Sequence, residues 1–341
     1  MSASTHLPAG LAADPLVRIA ADLAVIAWER MTAWRASLGA DLDESVVDTK
    51  TSPNDLVTLA DAQIEALVRG YLSAVRPGDV MVGEEGAEAI DPVEFFDRDL
   101  LRRLAAFDPV AGTLAEAGSE GRFEWHVDPI DGTVNFVRGI EHFAFSVGVL
   151  DTATDAWAVG LVASPGLGAT WVAGRSRGAY RVEGRLFDRM PEPDLSTAGA
   201  PAAGAPAAGV PAAGAPAADG APGAATPATR LSGAPVGLSG RLLATGFAYR
   251  GDNRGRQLAK LPALMDGYDD IRRCGSAALD LCMVAEGRVT CYAERGLGIY
   301  DYAGGALVAE EAGAFVHRGG SGGPTAAADS AAELARLIDT I

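Results

Sequence analysis

The stretch Val127-Asp128-Pro129-Ile130-Asp131-Gly132-Thr133 constrains this chain more than any other. Two carboxylates stand three positions apart around a ring-locked proline, and a glycine–threonine pair follows. Proline fixes its own φ and drives the preceding residue into extended geometry, so the turn is stiff before any ligand arrives. Gly132 lets a ligand approach the backbone closely. The apolar run Phe143-Ala144-Phe145-Ser146-Val147-Gly148-Val149 reads as a buried strand for the turn to lean on. A rigid, acidic, glycine-backed loop suits a hard cation beside a phosphate. It equally suits a helix-capping turn with two solvated aspartates, so the stretch alone leaves the choice open.

A chain of 341 residues has room for one large or two ordinary domains. With 48% hydrophobic and 21% charged residues, most of it should be globular. A net charge of −17 argues against a nucleic-acid surface, which needs clustered Lys and Arg. Cys274, Cys282 and Cys291 are spaced eight and nine apart, which is neither a disulfide framework nor a zinc pattern and points to a reducing compartment. The N-terminus lacks a basic region followed by an apolar core, and no apolar run approaches the roughly 18 residues of a membrane span. The expectation is a soluble cytoplasmic protein with no membrane or nucleic-acid partner.

Residues 1–14 read as a flexible tail, and helical spacing of apolar residues runs from 15 to about 38. The segment from Lys50 to Asp61 leads into a second helix ending near 75. Thr58 with Asp61 resembles a capping box, which would set Asp61 in the first turn, kept ionised by the helix dipole; a plain N-cap pair fits as well. Residues 79–86 read as a short strand ending in Glu84 and Glu85, at home in a ligand site or in a solvated turn. Residues 87–122 form an acidic surface elaboration, helical in part over 95–117. His126 reads as a strand residue facing a neighbour, while His6, His142 and His317 show no partner spacing. Residues 156–162, 170–173 and 178–182 read as a β-meander.

Residues 191–229 break the composition with near-repeats of Pro-Ala-Ala-Gly-Ala, the mark of a disordered insertion leaning to polyproline II. It divides a half over 15–190, with most of the candidate ligands, from an α/β half over 230–341. In the second half, 240–247 and 289–293 read as strands. Ser276 reads as the N-cap of a helix stopped by Gly287, with the amides of Gly275, Ser276 and Ala277 facing whatever lies above that end. Asp301 opens a further helix over 301–312, as cap or as ligand, and a short amphipathic helix closes the chain over 329–341.

Asp61, Glu84, Asp128, Asp131 and Asp301 thus each fall at a strand end or helix start, positions that an open α/β sheet gathers in one crevice. Five close carboxylates repel unless cations neutralise them. A set of oxygen ligands without His or Cys favours Mg²⁺ or Mn²⁺ over Zn²⁺. With helix N-termini at Gly132-Thr133 and Gly275-Ala277 to receive an anion, metal-assisted phosphoryl transfer to water is the natural reaction.

Asp128-Pro129-Ile130-Asp131-Gly132-Thr133-Val134-Asn135-Phe136, with Gly139 beyond, resembles the first signature of the inositol monophosphatase family. Tyr300-Asp301-Tyr302-Ala303-Gly304-Gly305 resembles its second, and the segments from Lys50 to Asp61, Gly83-Glu84-Glu85 and Cys274-Gly275-Ser276-Ala277-Ala278 match in family order. The resemblance covers about 15–86, 123–187 and 231–316. It implies an α/β fold, a layered αβαβα sandwich of the sugar-phosphatase type, and a lithium-sensitive, Mg²⁺-dependent phosphomonoesterase acting as a homodimer on a small phosphorylated polyol.

By the same resemblance, Glu84, Asp128 and the Ile130 carbonyl would hold one Mg²⁺, Asp128, Asp131 and Asp301 a second, and Glu84 would lie near a third. Thr133, hydrogen-bonded to Asp61, would orient and help deprotonate the attacking water. The amides of Gly132 and Thr133 would bind phosphate oxygens, the Gly275-Ser276-Ala277 segment and Asp131, Ala277 and Glu294 would meet the substrate, and Lys50 would supply a countercharge. Inositol monophosphate is the leading substrate, since an acid at Glu294 suits a polyol. Histidinol phosphate, fructose 1,6-bisphosphate and a 3′-phosphonucleotide are the alternatives, Arg272-Arg273 being the one basic cluster seen for a second phosphate; a non-catalytic regulator is a more distant one. Tyr300 stands where the family usually has Trp, and the Ala/Pro/Gly insertion has no counterpart there.

Overall fold

A computed structural model describes residues 7–38, 53–84, 86–118, 121–186, 228–233, 239–248 and 251–341. The chain opens with α1 (Ala9–Ala12), α2 (Pro15–Leu38) and α3 (Pro53–Val75), followed by β1 (Val80–Gly83). Two single-turn helices, α4 (Pro92–Phe95) and α5 (Arg98–Leu101), and a small hairpin, β2 (Phe107–Asp108) with β3 (Thr113–Leu114), lead to β4 (Phe123–Asp131) and α6 (Thr133–Arg138). A meander follows of β5 (Ala144–Asp151), β6 (Ala156–Ser164), β7 (Ala169–Gly174) and β8 (Gly178–Glu183), and β9 (Thr229–Arg230) pairs back onto β8. The remainder alternates: β10 (Leu242–Thr245), α7 (Gly251–Leu264), β11 (Asp270–Arg272), α8 (Ala277–Ala285), β12 (Cys291–Arg295), α9 (Ile299–Glu311), β13 (Phe315–Arg318), β14 (Pro324–Ala328) and α10 (Ala331–Thr340).

Besides the β2-β3 hairpin, the described strands form a seven-stranded sheet in the order β1-β4-β5-β6-β7-β8-β9 and a five-stranded one in the order β11-β10-β12-β14-β13. Helices α2 and α3 cover one face of the larger sheet, α8 and α9 lie between the sheets, and α10 with α7 packs outside the smaller one. These five layers have four interfaces, and each holds its own apolar cluster. Leu23, Ile26, Tyr71 and Val127 lie in the first, Val162, Trp171, Cys282 and Leu307 in the second. Leu281, Tyr292 and Tyr302 lie in the third, Leu243, Leu264 and Leu337 in the fourth. The αβαβα sandwich is therefore present.

Glycines let the middle layer sit close. A side-chain carbon at Gly304 would lie 2.7 Å from the Ser146 Oγ, and one at Gly148 would lie 2.5 Å from the Ala303 Cβ. The apolar stripe of α9 thus rests almost directly on β5, which fixes the helix N-terminus against the end of β4.

Several expectations need correction. Of the supposed tail, residues 7–14 are built in: Leu7 and Leu11 are buried, and Arg177 donates to the Gly10 carbonyl at 3.0 Å. The 87–122 segment holds short turns and a hairpin rather than a long helix; Gly112 and its neighbours turn the chain where helix was expected. The helix α3 begins at Pro53, a residue well suited to a first turn, so Asp61 lies about two turns inside it and Thr58 does not open it. Likewise α9 starts at Ile299 with Gly298 as its cap, leaving Asp301 in the first turn rather than ahead of it. The helix α7 and the strands β13 and β14 escaped the pattern: α7 is polar and carries Pro262, and β14 is Pro-Thr-Ala-Ala-Ala. The disorder expected over 191–229 falls on residues outside those described, except that Thr229 pairs in β9. Among the described residues, no helix is long and apolar enough to cross a membrane.

Candidate active site

The site begins where a ladder breaks. β4 runs parallel to β1 and antiparallel to β5, pairing regularly from Phe123 opposite Asp151 to Asp128 opposite Ser146. Pro129 has no N–H to give, and the register shifts before Asp131 meets Ala144. The Asp128 carboxylate fills the gap by accepting from the Ile130 amide at 3.1 Å. Because Gly83 pairs with Val127, Glu84 emerges beside Asp128 at the same end of the parallel pair.

Glu65, which sequence reasoning missed, holds that junction. Its fully buried carboxylate accepts from Arg69 at 2.7 Å and from the Ala87 amide at 3.1 Å, fixing the chain just past Glu84. A side-chain carbon at Gly83 would lie 2.5 Å from the same carboxylate. A glutamate on the buried face of α3, opposite a strand-end glycine, was the available signal.

Beyond Asp131 the chain turns through Gly132, whose φ of 91° is in the left-handed region. A side-chain carbon there would lie 2.9 Å from the His142 carbonyl and 3.2 Å from that of Gly275. Here the two halves meet. Asn135 donates to the His142 carbonyl at 2.7 Å and to the Cys274 carbonyl at 2.8 Å, tying α6 to the approach of α8. Asp131 then caps α8: one carboxylate oxygen accepts from the Ser276 hydroxyl at 2.6 Å and the Ala278 amide at 2.7 Å. The Thr133 hydroxyl donates to the Ile130 carbonyl at 3.0 Å. Asp301 does two things at once. It accepts from the Gly298 amide at 2.6 Å as part of its helix start, and it lies in hydrogen-bond contact with Asp128.

Electrostatics separates these acids from ordinary caps. Burial pushes the Asp128 carboxyl well above its usual range, and Asp131, Asp301, Glu84 and Asp61 raise it further. The Asp131 carboxyl is also raised well above normal, by burial and then Asp301, despite its hydroxyl and amide donors. Burial raises Asp301 too. Three carboxylates that resist ionisation, Asp128, Asp131 and Asp301, with the exposed Glu84 and a backbone carbonyl beside them, form a donor set that fits hard divalent cations. Glu84, Asp128, Asp131 and Asp301 with the Ile130 oxygen are the residues that could hold them.

The acids line a cleft of about 680 Å³ shared with Gly132, Thr133, Gly275, Ala277 and Glu294. Glu294 is recessed over Gly246, where any side chain would collide with its carboxylate. Burial pushes its carboxyl up to about 7, although the Tyr292 hydroxyl donates to it at 2.8 Å and Arg273 opposes the rise. Ser276, expected at the substrate, is only 1% exposed and its side chain serves Asp131 instead. Asp61 is likewise 4% exposed, close enough to act on Asp128 from behind rather than as part of the cleft wall. Lys50 lies outside the described residues. The opposite wall was unforeseen: α7 brings Arg256 and Lys260 to the cleft, which Arg273 and Arg295 also line.

The chain is similar in sequence and fold to known proteins. The model of the inositol monophosphatase family matches residues 13–337. Inositol-1-monophosphatase SuhB of Mycobacterium tuberculosis is 34% identical over 274 residues, 80% of this chain and 72% of its own length. Nus factor SuhB of Vibrio cholerae is 30% identical over 275 residues, 80% of this chain and 75% of its own. The solved structure of Mycobacterium tuberculosis SuhB superposes with a TM-score of 0.60 at 29% identity, covering 94% of this chain and 95% of that one. Broken ladder, acid cluster, capped α8 and matched sequence agree, and the chain belongs to the inositol monophosphatase family.

Proposed function

We propose that this protein is a Mg²⁺-dependent phosphomonoesterase that hydrolyses inositol monophosphate to inositol and phosphate. The observation that carries this reading is the convergence of Glu84, Asp128, Asp131 and Asp301 at one strand end, next to the Gly132-Thr133 turn. Two or three Mg²⁺ ions, or Mn²⁺, held by those carboxylates and the Ile130 carbonyl, would supply Lewis-acid activation of water and charge stabilisation of the phosphoryl group and leaving oxygen. The residues do the rest. The amides of Gly132 and Thr133 point to phosphate oxygens, the positively φ-twisted Gly132 allowing the close approach. The Thr133 hydroxyl, which donates to the Ile130 carbonyl here, orients the attacking water and, supported by the Asp61 carboxylate, helps to take up its proton. Asp131, the Ala277 segment and Glu294 meet the hydroxyls of the polyol.

The α7 wall supports a second substrate reading within the same chemistry. Arg256, Lys260, Arg273 and Arg295 offer the cations that Arg272-Arg273 alone could not, which favours a substrate with a second anionic group, such as fructose 1,6-bisphosphate or a 3′-phosphonucleotide. A non-catalytic regulatory role, in the direction of the name carried by the Vibrio relative, is disfavoured by the intact acid set. Phosphate release with Mg²⁺ from inositol 1-phosphate, histidinol phosphate, fructose 1,6-bisphosphate and 3′-phosphoadenosine 5′-phosphate decides among these. Fastest turnover of the inositol ester supports the first reading, and turnover of none, with or without Mn²⁺, rejects phosphatase action. The reading also takes from the family inhibition by Li⁺, a homodimer and a cytoplasmic location.

A further inference from the structure

His142 and Cys274 take no part in the chemistry above, yet the fold brings them together with Asp280. The Nε2 of His142 lies 3.3 Å from an Asp280 carboxylate oxygen, and one ligand atom from each of His142, Cys274 and Asp280 falls within 4.8 Å of the other two. Neither spacing along the chain nor the cysteine count foretold this, because 132 residues separate the first two.

Three features make the trio a built arrangement. The single Asn135 side chain clamps the carbonyls of both His142 and Cys274, so two of the three backbones are fixed by one group. Asp280 is set by α8, its amide bonded to the Ser276 carbonyl at 3.0 Å, and is 1% exposed. The Cys274 thiol is within hydrogen-bond reach of that same carboxylate. One nitrogen, one sulfur and one oxygen donor at such separations suit a tetrahedral ion with bonds of about 2.0–2.3 Å and a fourth position left to water. Softness then discriminates between neighbours: the all-oxygen acid cluster selects Mg²⁺ or Mn²⁺, whereas a thiolate with an imidazole selects Zn²⁺.

We propose that His142, Cys274 and Asp280 form a separate zinc site on the shoulder of the cleft, bound through imidazole nitrogen, thiolate and carboxylate. Binding releases the Cys274 thiol proton to solvent. With Asp280 ionised, each occupancy event therefore adds one net positive charge beside Gly275 and Arg273, which line the cleft.

The test is a Co²⁺ titration of the full-length reduced protein in saturating Mg²⁺, followed by absorbance. One equivalent of Co²⁺ should produce tetrahedral d–d bands with a near-ultraviolet thiolate-to-cobalt charge-transfer band, which one equivalent of Zn²⁺ removes. An oxygen-only site cannot produce the charge-transfer band. Cys274→Ser should abolish it and weaken Zn²⁺ binding by roughly 100-fold or more, since even losing a ligand's hydrogen-bond partner costs 10–100-fold. His142→Gln, which keeps a polar side chain, should weaken binding comparably. The band should persist in Asp128→Asn, so its appearance does not depend on the phosphatase reading. Absence of the band in the wild type, or an equal band in Cys274→Ser, overturns the proposal.

Discussion

Both ends of β4 gather aspartates, and these behave in opposite ways. At its start, Asp79 accepts from Arg76 at 2.8 Å, the Trp125 indole at 3.0 Å and the Phe123 amide at 3.2 Å. Burial alone would raise that carboxyl, but these donors, Arg76 first, hold it below its usual range. Beside it, hydrogen bonding from Arg122 holds the Asp151 carboxyl down to about 2. At its finish, Asp128 and Asp131 meet a hydroxyl, backbone amides and further acids, and both carboxyls are driven up. Charge helps fold one end of the strand and opposes folding at the other. Fold stability supplied elsewhere is being used to keep carboxylates crowded, which is the usual signature of a site awaiting cations.

The sharpest way to break this contrast is Asp128→Asn. It should lower phosphate release from inositol 1-phosphate by ~10³-fold or more, about 4 kcal/mol of barrier, while leaving the metal-free melting temperature unchanged or higher. Unchanged turnover with Mg²⁺ would remove the metal assignment. At the other end, Arg76→Ala leaves Asp79 buried without its guanidinium and should cost about 3 kcal/mol in urea unfolding, with kcat unaltered.

The acid-rich end of β4 should also respond to pH and to metal. Asp128, Asp131 and Asp301 have folded-state pKa values raised above the unfolded value of about 3.9, so what they contribute to stability is present below that value and lost as pH rises through the folded ones. Melting of the metal-free chain should therefore fall from acid toward neutral pH. Adding Mg²⁺ at ~100 times its neutral-pH Kd should restore about 2.7 kcal/mol at that pH, and the same concentration should restore more at higher pH. A melting temperature insensitive to Mg²⁺ at pH 8 contradicts the contrast. The smallest effect belongs to Glu294→Gln. KM for a polyol phosphate should rise about tenfold, near 1.4 kcal/mol, with kcat little changed. Because the Glu294 carboxyl is pushed up to about 7, the metal-free variant should melt above the wild type at pH 8 and level with it near pH 4.

Much of this was legible in the sequence, unevenly. The Asp128–Thr133 turn announces itself locally, since Pro129 and Gly132 dictate its shape whatever surrounds them. Glu84 and Asp301 could be set at element ends because a glycine or an aromatic run marks those ends. Asp61 was placed near the right partners but in the wrong turn, as Pro53 rather than Thr58 starts α3. Residues whose role depends on a distant partner left no mark. Glu65 matters because of Gly83, Arg256 and Lys260 because α7 settles on the cleft rim, and His142 because Asp280 comes to it from the other half.

The return of β9 to β8 has a topological consequence. Tyr180 faces Arg230 and Arg181 faces Thr229, so the chain leaves the larger sheet and rejoins it on neighbouring strands of one edge. Everything between is an excursion that starts and finishes within a strand spacing or so, and lengthening such an excursion adds only about 0.6 kcal/mol per doubling. That edge lies five strands across the sheet from β4, roughly 24 Å at the usual inter-strand distance. A lineage could thus enlarge, shorten or rewrite the Ala/Pro/Gly segment while the chemistry at the far side of the sheet stays under separate selection.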